Sequence, residues 1–149
     1  MTRAATRALG IDLGSKRIGV AIGDRTGTIA SPLHVLQRSG SVRRDHQAIA
    51  DLVIEEEADV VVVGLPLNMN GSTGPAAKAA IDEAAALATV VGVPVVTFDE
   101  RRTTVTADQA MMQANMRAQA RRKIVDKIAA AVMLQNWLDA GAPQAEAPL

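Results

Sequence analysis

Apolar and polar positions alternate with period two along the first part of the chain. Leu9, Ile11 and Leu13 fall on one face, with Gly10, Asp12 and Gly14 on the other, which predicts a short strand carrying one acid. Over residues 17–23, Ile18, Val20 and Ile22 alternate with Gly19, Ala21 and Gly23, and Gly14-Ser15 supplies a turn between the two strands, so a hairpin is expected. After a further turn at Gly27, residues 28–36 read as a weaker third strand, and Pro32, which has no N–H to donate, suits a sheet edge. The period then lengthens. Ile49, Leu52 and Val53 have helical spacing within residues 42–57. The β-branched run 60–63 marks a strand buried on both faces. A polar loop over 64–74 leads to Pro75, which fits the first helical position, and an alanine-rich helix over 76–91 closes at Gly92. Residues 93–98 read as a fifth strand. Thr103 and Thr104 offer caps for a helix over 105–116, and 120–138 is the last helix. The order βββαβαβα implies an α/β domain with a mixed five-stranded sheet flanked by helices, spanning residues 1–139. Residues 140–149, with two prolines and few apolar anchors, read as a disordered tail.

Composition narrows what such a domain does. Hydrophobic residues make up 48% and aromatic residues 1%, so the core is aliphatic and a base-stacking platform of aromatic rings is excluded. With no cysteine, disulfides and thiolate-held zinc are excluded as well, and a reducing compartment, the cytoplasm, is expected. The longest apolar run, 128–134, is far short of the roughly 20 residues that cross a bilayer, so no membrane partner is expected. The basic start leads into the first strand without an apolar signal core.

Net charge is zero, which argues against coating nucleic acid by bulk charge. Its distribution is uneven. Asp45, Asp51, Glu55, Glu56, Glu57, Asp59, Asp82 and Glu83 stand against Lys78 alone in one segment. In the other, Arg101, Arg102, Arg117, Arg121, Arg122, Lys123 and Lys127 stand against Asp108 and Asp126. The second segment suits phosphate, and Arg121, Arg122 and Lys123 are the expected platform.

Three carboxylates stand out. Asp12 sits on a strand face otherwise made of glycine and alanine, which permits close approach of a helix or of a phosphate backbone; the alternative is a turn cap through the Gly14 and Ser15 amides. Asp99 and Glu100 stand at the carboxyl end of a central strand, where open α/β sheets bind ligands, with a solvated turn paired to Arg101 and Arg102 as the alternative. Asp126 shares a helical stripe with Ala130, Met133 and Trp137, so it needs a partner, either a cation or Arg122 four residues earlier. Isolated carboxylates of this kind suit a hard divalent ion, and two ions can activate water and neutralise the leaving oxygen in phosphodiester cleavage. His34 and His46 have no carboxylate or nucleophile at a telling spacing and read as surface or structural residues.

Four segments carry a resemblance: 10–24 (GIDLGSKRIGVAIGD), 63–71 (VGLPLNMNG), 98–104 (FDERRTT) and 125–131 (VDKIAAA). In this order they resemble the motifs of the YqgF/RuvX family, which has the ribonuclease H-like fold, and the similarity runs from about residue 9 to 138. The resemblance implies a metal-dependent nuclease that matures the 5′ end of pre-16S rRNA, similar to Holliday-junction resolvases. It implies Asp12, Glu100 and Asp126 as catalytic acids holding Mg²⁺ or Mn²⁺, two ions in all, with Asp99 a secondary candidate. Lys127 departs from the small residue usual after the aspartate, and Arg102 from a usual leucine. Lys16, Arg17, Asn68, Arg101, Arg102, Arg121, Arg122 and Lys123 are the expected substrate contacts. One triad makes one nick, so a monomer or weak homodimer acting on structured or single-stranded RNA is expected, with four-way DNA junctions cut only by dimers. Asp12-Leu-Gly-Ser15 also resembles the first phosphate loop of the actin and sugar-kinase superfamily, which implies an ATP-dependent phosphotransferase. Those proteins close two such domains over ATP, and this chain has the length of one.

Overall fold

The computed structural model describes residues 7–66, 73–99 and 118–142, without the side chains of 118–125 and 127. The alternating segments form β1 (Ala8–Leu13), β2 (Arg17–Gly23) and β3 (Ala30–Gln37), an antiparallel meander. β4 (Val60–Leu65) adds parallel to β1, and β5 (Val95–Asp99) parallel to β4, giving a mixed sheet in the order β3-β2-β1-β4-β5. Pro32 does lie on an edge strand. The pairing of β2 with β3 slips there, from Val20 opposite His34 to Ala21 opposite Pro32, so Leu33 is the extra residue of a bulge.

The period-two pattern sorts the strands into two cores. Leu9, Ile11, Ile18, Val20, Ile22, Val61, Val63 and Val95 face α1 (Val42–Glu55) and α2 (Pro75–Ala88), meeting Ile49, Val53, Ala84 and Leu87. Ala8, Ala21, Val60, Val62 and Val96 face the opposite way, onto Ala130, Met133, Leu134 and Trp137 of α3 (Ala118–Asp139). The continuous valine run is thus read correctly as a strand covered on both sides.

Helix ends depart modestly from the spacing-based limits. α1 stops at Glu55 because Glu57 takes a left-handed backbone, φ 56°, that no glycine in the sequence announces. Ser41, whose hydroxyl accepts from the Arg44 N–H, caps its start. α2 begins at Pro75 as expected and ends at Ala88, where the Thr89 hydroxyl donates to the Ala86 carbonyl. Beyond α3, the Ala142 N–H donates to the Trp137 carbonyl and Ala142 packs against the second core, so the described chain continues past the limit set at 139. The helix expected over 105–116 lies outside the described residues.

Candidate active site

β1 carries Asp12 at its carboxyl end, on the same pleat face as Ala8 and Gly10, toward α3. Across the hairpin its partner is Gly19. A Cβ built on Gly19 would come within 2.1 Å of the Asp126 carbonyl oxygen, and one on Gly10 within 2.9 Å of the Leu134 Cβ. Of the two occupants the glycine face was expected to admit, these positions receive the helix. They are not open to a phosphate backbone. The same close approach delivers Asp126 to the corner where Asp12 stands, and both carboxylates are half-buried.

Asp126 lies one turn before Ala130, and Ala130, Met133 and Trp137 are fully buried, which is the stripe its spacing predicted. Among the described side chains its partner comes from a strand: Arg17 Nε donates to Asp126 Oδ2 at 2.5 Å, while the side chain of Arg122, the helix neighbour four residues earlier, lies outside the described residues. Arg17, expected to meet substrate, therefore points into the acidic corner. Lys16 is exposed in the β1–β2 turn, and its carbonyl accepts from the Arg38 N–H.

β5 ends at Asp99. Phe98 packs in the second core with Val96, so the pleat carries Asp99 to the α1 and α2 face, away from Asp12. Glu100, Arg101, Arg102 and Asn68 lie outside the described residues, as do the side chains of Arg121, Arg122 and Lys123, whose backbone belongs to the first turns of α3. Among the described residues no three acidic or histidine side chains are grouped closely enough to hold a metal. The pair Asp12 and Asp126 nonetheless fits a hard divalent cation. Both offer oxygen donors at one half-buried corner, where the Arg17 guanidinium now balances the charge of Asp126.

A family model described as "RuvX: Holliday junction resolvase" matches residues 6–140. The chain belongs to the RuvX family. Relatives named "Putative pre-16S rRNA nuclease" include one from Mycobacterium sp. (strain KMS), 47% identical over 134 residues that cover 89% of this chain and 79% of the relative. Another, from Myxococcus xanthus, is 43% identical over 92% of this chain and 90% of its own. Among solved structures, T. thermophilus RuvC in complex with a Holliday junction substrate aligns with a TM-score of 0.57 and 16% identity, covering 93% of this chain and 98% of that one. The fold is ribonuclease H-like.

This RuvX chain supports the corner from the opposite face with a network that sequence spacing did not reveal. Arg38, just past β3, donates from Nε to the Gly14 carbonyl at 2.9 Å and grips Glu83 of α2 through Nη1 and Nη2 at 2.8 and 3.0 Å. His46 of α1, fully buried, stands 2.8 Å from the same carboxylate. Burial pushes the Glu83 carboxyl up, but hydrogen bonds from Arg38 and His46 outweigh it and hold the group below its ordinary 4.5. Buried Asp45 behaves alike: burial raises it, and hydrogen bonding to Ser39 together with the Arg38 charge brings it below 3.8. Two acids counted in the phosphate-repelling segment are thus spent inside the fold. His46 is structural, as expected, and His34 is exposed on β3.

Proposed function

We propose that this chain is a divalent-metal-dependent nuclease acting in 5′-end maturation of pre-16S rRNA. The observation that carries the reading is the convergence of Asp12 and Asp126 on one corner of a ribonuclease H-like sheet in a RuvX chain. Asp12, Glu100 and Asp126 would hold Mg²⁺ or Mn²⁺, two ions in all, and these supply activation of the attacking water and neutralisation of the leaving oxygen. Hydrolysis forms a bond from water oxygen to phosphorus and breaks the bond from phosphorus to the leaving oxygen. The protein's part is to hold the acids in one half-buried place and to bind the strand. Lys16, exposed in the turn beyond Asp12, and Arg121, Arg122 and Lys123, three to five residues before Asp126 on α3, suit its phosphates.

The names of the relatives favour an RNA precursor, while the family's description favours a four-way junction. Single-site chemistry favours the first, because a junction needs two nicks related by a twofold axis and RNA trimming needs one. Family membership weighs against the phosphotransferase alternative.

The test compares a precursor rRNA 5′ fragment with a synthetic four-way junction over a range of protein concentrations, with and without Mg²⁺. Cleavage of the RNA at low concentration is expected, dependent on Mg²⁺ or Mn²⁺ and lost by about 10³-fold or more in Asp12→Asn, Glu100→Gln and Asp126→Asn. Parental rates in any one variant would remove that residue from the site. Paired symmetric nicks on the junction with intact RNA would reverse the choice of substrate.

A further inference from the structure

We propose that Arg17 is the resident counter-ion of Asp126, and that binding of a divalent cation releases its guanidinium to the substrate phosphate. The inference rests on the nuclease reading. β2 opens with Arg17, and the pleat puts its side chain on the same face as Gly19, the partner of Asp12. The guanidinium thus enters the acidic corner from the turn end and donates from Nε to Asp126 Oδ2 at 2.5 Å. The two side chains are 23% and 27% exposed, so solvent screens the pair less than it would on an open surface.

Arginine keeps its charge at any working pH, so that charge cannot be discharged when a metal arrives; it can only move. A divalent ion taking an oxygen of Asp126 would compete for the atom that now accepts from Arg17, and like charges at such a distance repel. The displaced side chain has a long stem rooted at the start of a strand, beside the exposed turn at Ser15 and Lys16. Its planar fork matches a phosphate as well as it matches a carboxylate. The exchange has two effects. Without metal, Asp126 is neutralised beside Asp12 and the corner is stable. With metal, a cation is freed at the mouth of the site where the nucleic-acid backbone has to lie.

The experiment measures Mn²⁺ affinity by calorimetry for the wild type, Arg17→Gln and Arg17→Lys, and RNA affinity with and without Ca²⁺, with RNA integrity checked on a gel. Trp137, the single tryptophan and fully buried, reports folding. Arg17→Gln is expected to bind Mn²⁺ about tenfold more tightly than the wild type, because the competing charge is gone. Ca²⁺ is expected to raise wild-type RNA affinity more than that of Arg17→Gln, since only the wild type has a guanidinium to release. Unchanged or weaker Mn²⁺ binding in Arg17→Gln overturns the proposal, as does an RNA deficit equal with and without Ca²⁺. Should Arg17→Gln fail to fold, Arg17→Lys, whose ammonium makes a single-point pair, is expected to gain about threefold in Mn²⁺ affinity, and no gain there is equally fatal. Absence of Mn²⁺ binding in the wild type would defeat the nuclease reading itself and this inference with it, whereas wild-type binding that Arg17→Gln leaves unaltered defeats the inference alone.

Discussion

Glu83 serves two cations from two elements, Arg38 after β3 and His46 on α1, and through Arg38 it reaches the Gly14 carbonyl in the turn that follows Asp12. Its carboxyl titrates lower in the folded protein than in the unfolded chain. A depressed folded value means that the stabilisation is fully present above about 4.5 and is lost as pH falls below it. Asp45 adds to the same acid-side loss, beginning below its ordinary 3.8. Glu83→Gln is therefore expected to cost about 2 kcal/mol at pH 7, by leaving a half-buried guanidinium poorly paired, and to flatten the fall in urea midpoint between pH 5 and 3. An acid-side slope identical to the parent's would show that Glu83 is not its source. None of this was legible in the sequence. His46 and Glu83 are 37 positions apart, and no periodicity links a strand-end arginine to two helices. Asp126 was legible as a residue in need of a partner, because its stripe is apolar. The partner itself was not, since Arg17 lies 109 positions away.

Elements were read more fully than contacts, because their signals are local. The alternation at Leu9, Ile11, Ile18, Val20 and Ile22 predicts both the strands and the face they bury, and Pro32 predicts the edge. Helix ends were less legible wherever a non-glycine residue makes the stop, as Glu57 does after α1. The glycine face of β1 and β2 was recognised as a place of close approach, and only the packed structure decides between helix and phosphate. That decision has a test. In Gly19→Ala the new methyl meets backbone at 2.1 Å, which a side-chain rotation cannot relieve, so α3 has to shift from the sheet. A stability loss of about 3 kcal/mol is expected, with nuclease activity falling further than stability because Asp126 moves with the helix. Gly10→Ala makes its contact with the Leu134 side chain at 2.9 Å and is expected to be milder. Urea unfolding followed by Trp137 emission ranks the two, and equal losses would mean that α3 does not sit rigidly on Gly19.

At the scale of the molecule, zero net charge leaves nucleic-acid binding to the arrangement of charges rather than their sum. Arg121, Arg122 and Lys123 stand on the helix that also brings Asp126. Replacing all three with alanine is expected to weaken binding across RNA sequences and to lower the slope of log affinity against log salt by roughly two to three. Filter binding over a salt series measures this, and an unchanged slope would move the platform elsewhere. The sheet that supports the site joins β1 to the last helix, so the corner exists only when the two ends of the fold have met. During synthesis Asp12 leaves the ribosome early and Asp126 late. A chain broken off before α3 would lack Asp126 and leave a bare sheet face of Val60, Val62 and Val96, a target for proteases rather than a cutter of RNA. Competence to cut then arrives only once the whole domain is made, and an unfinished copy cannot act on the RNA around it.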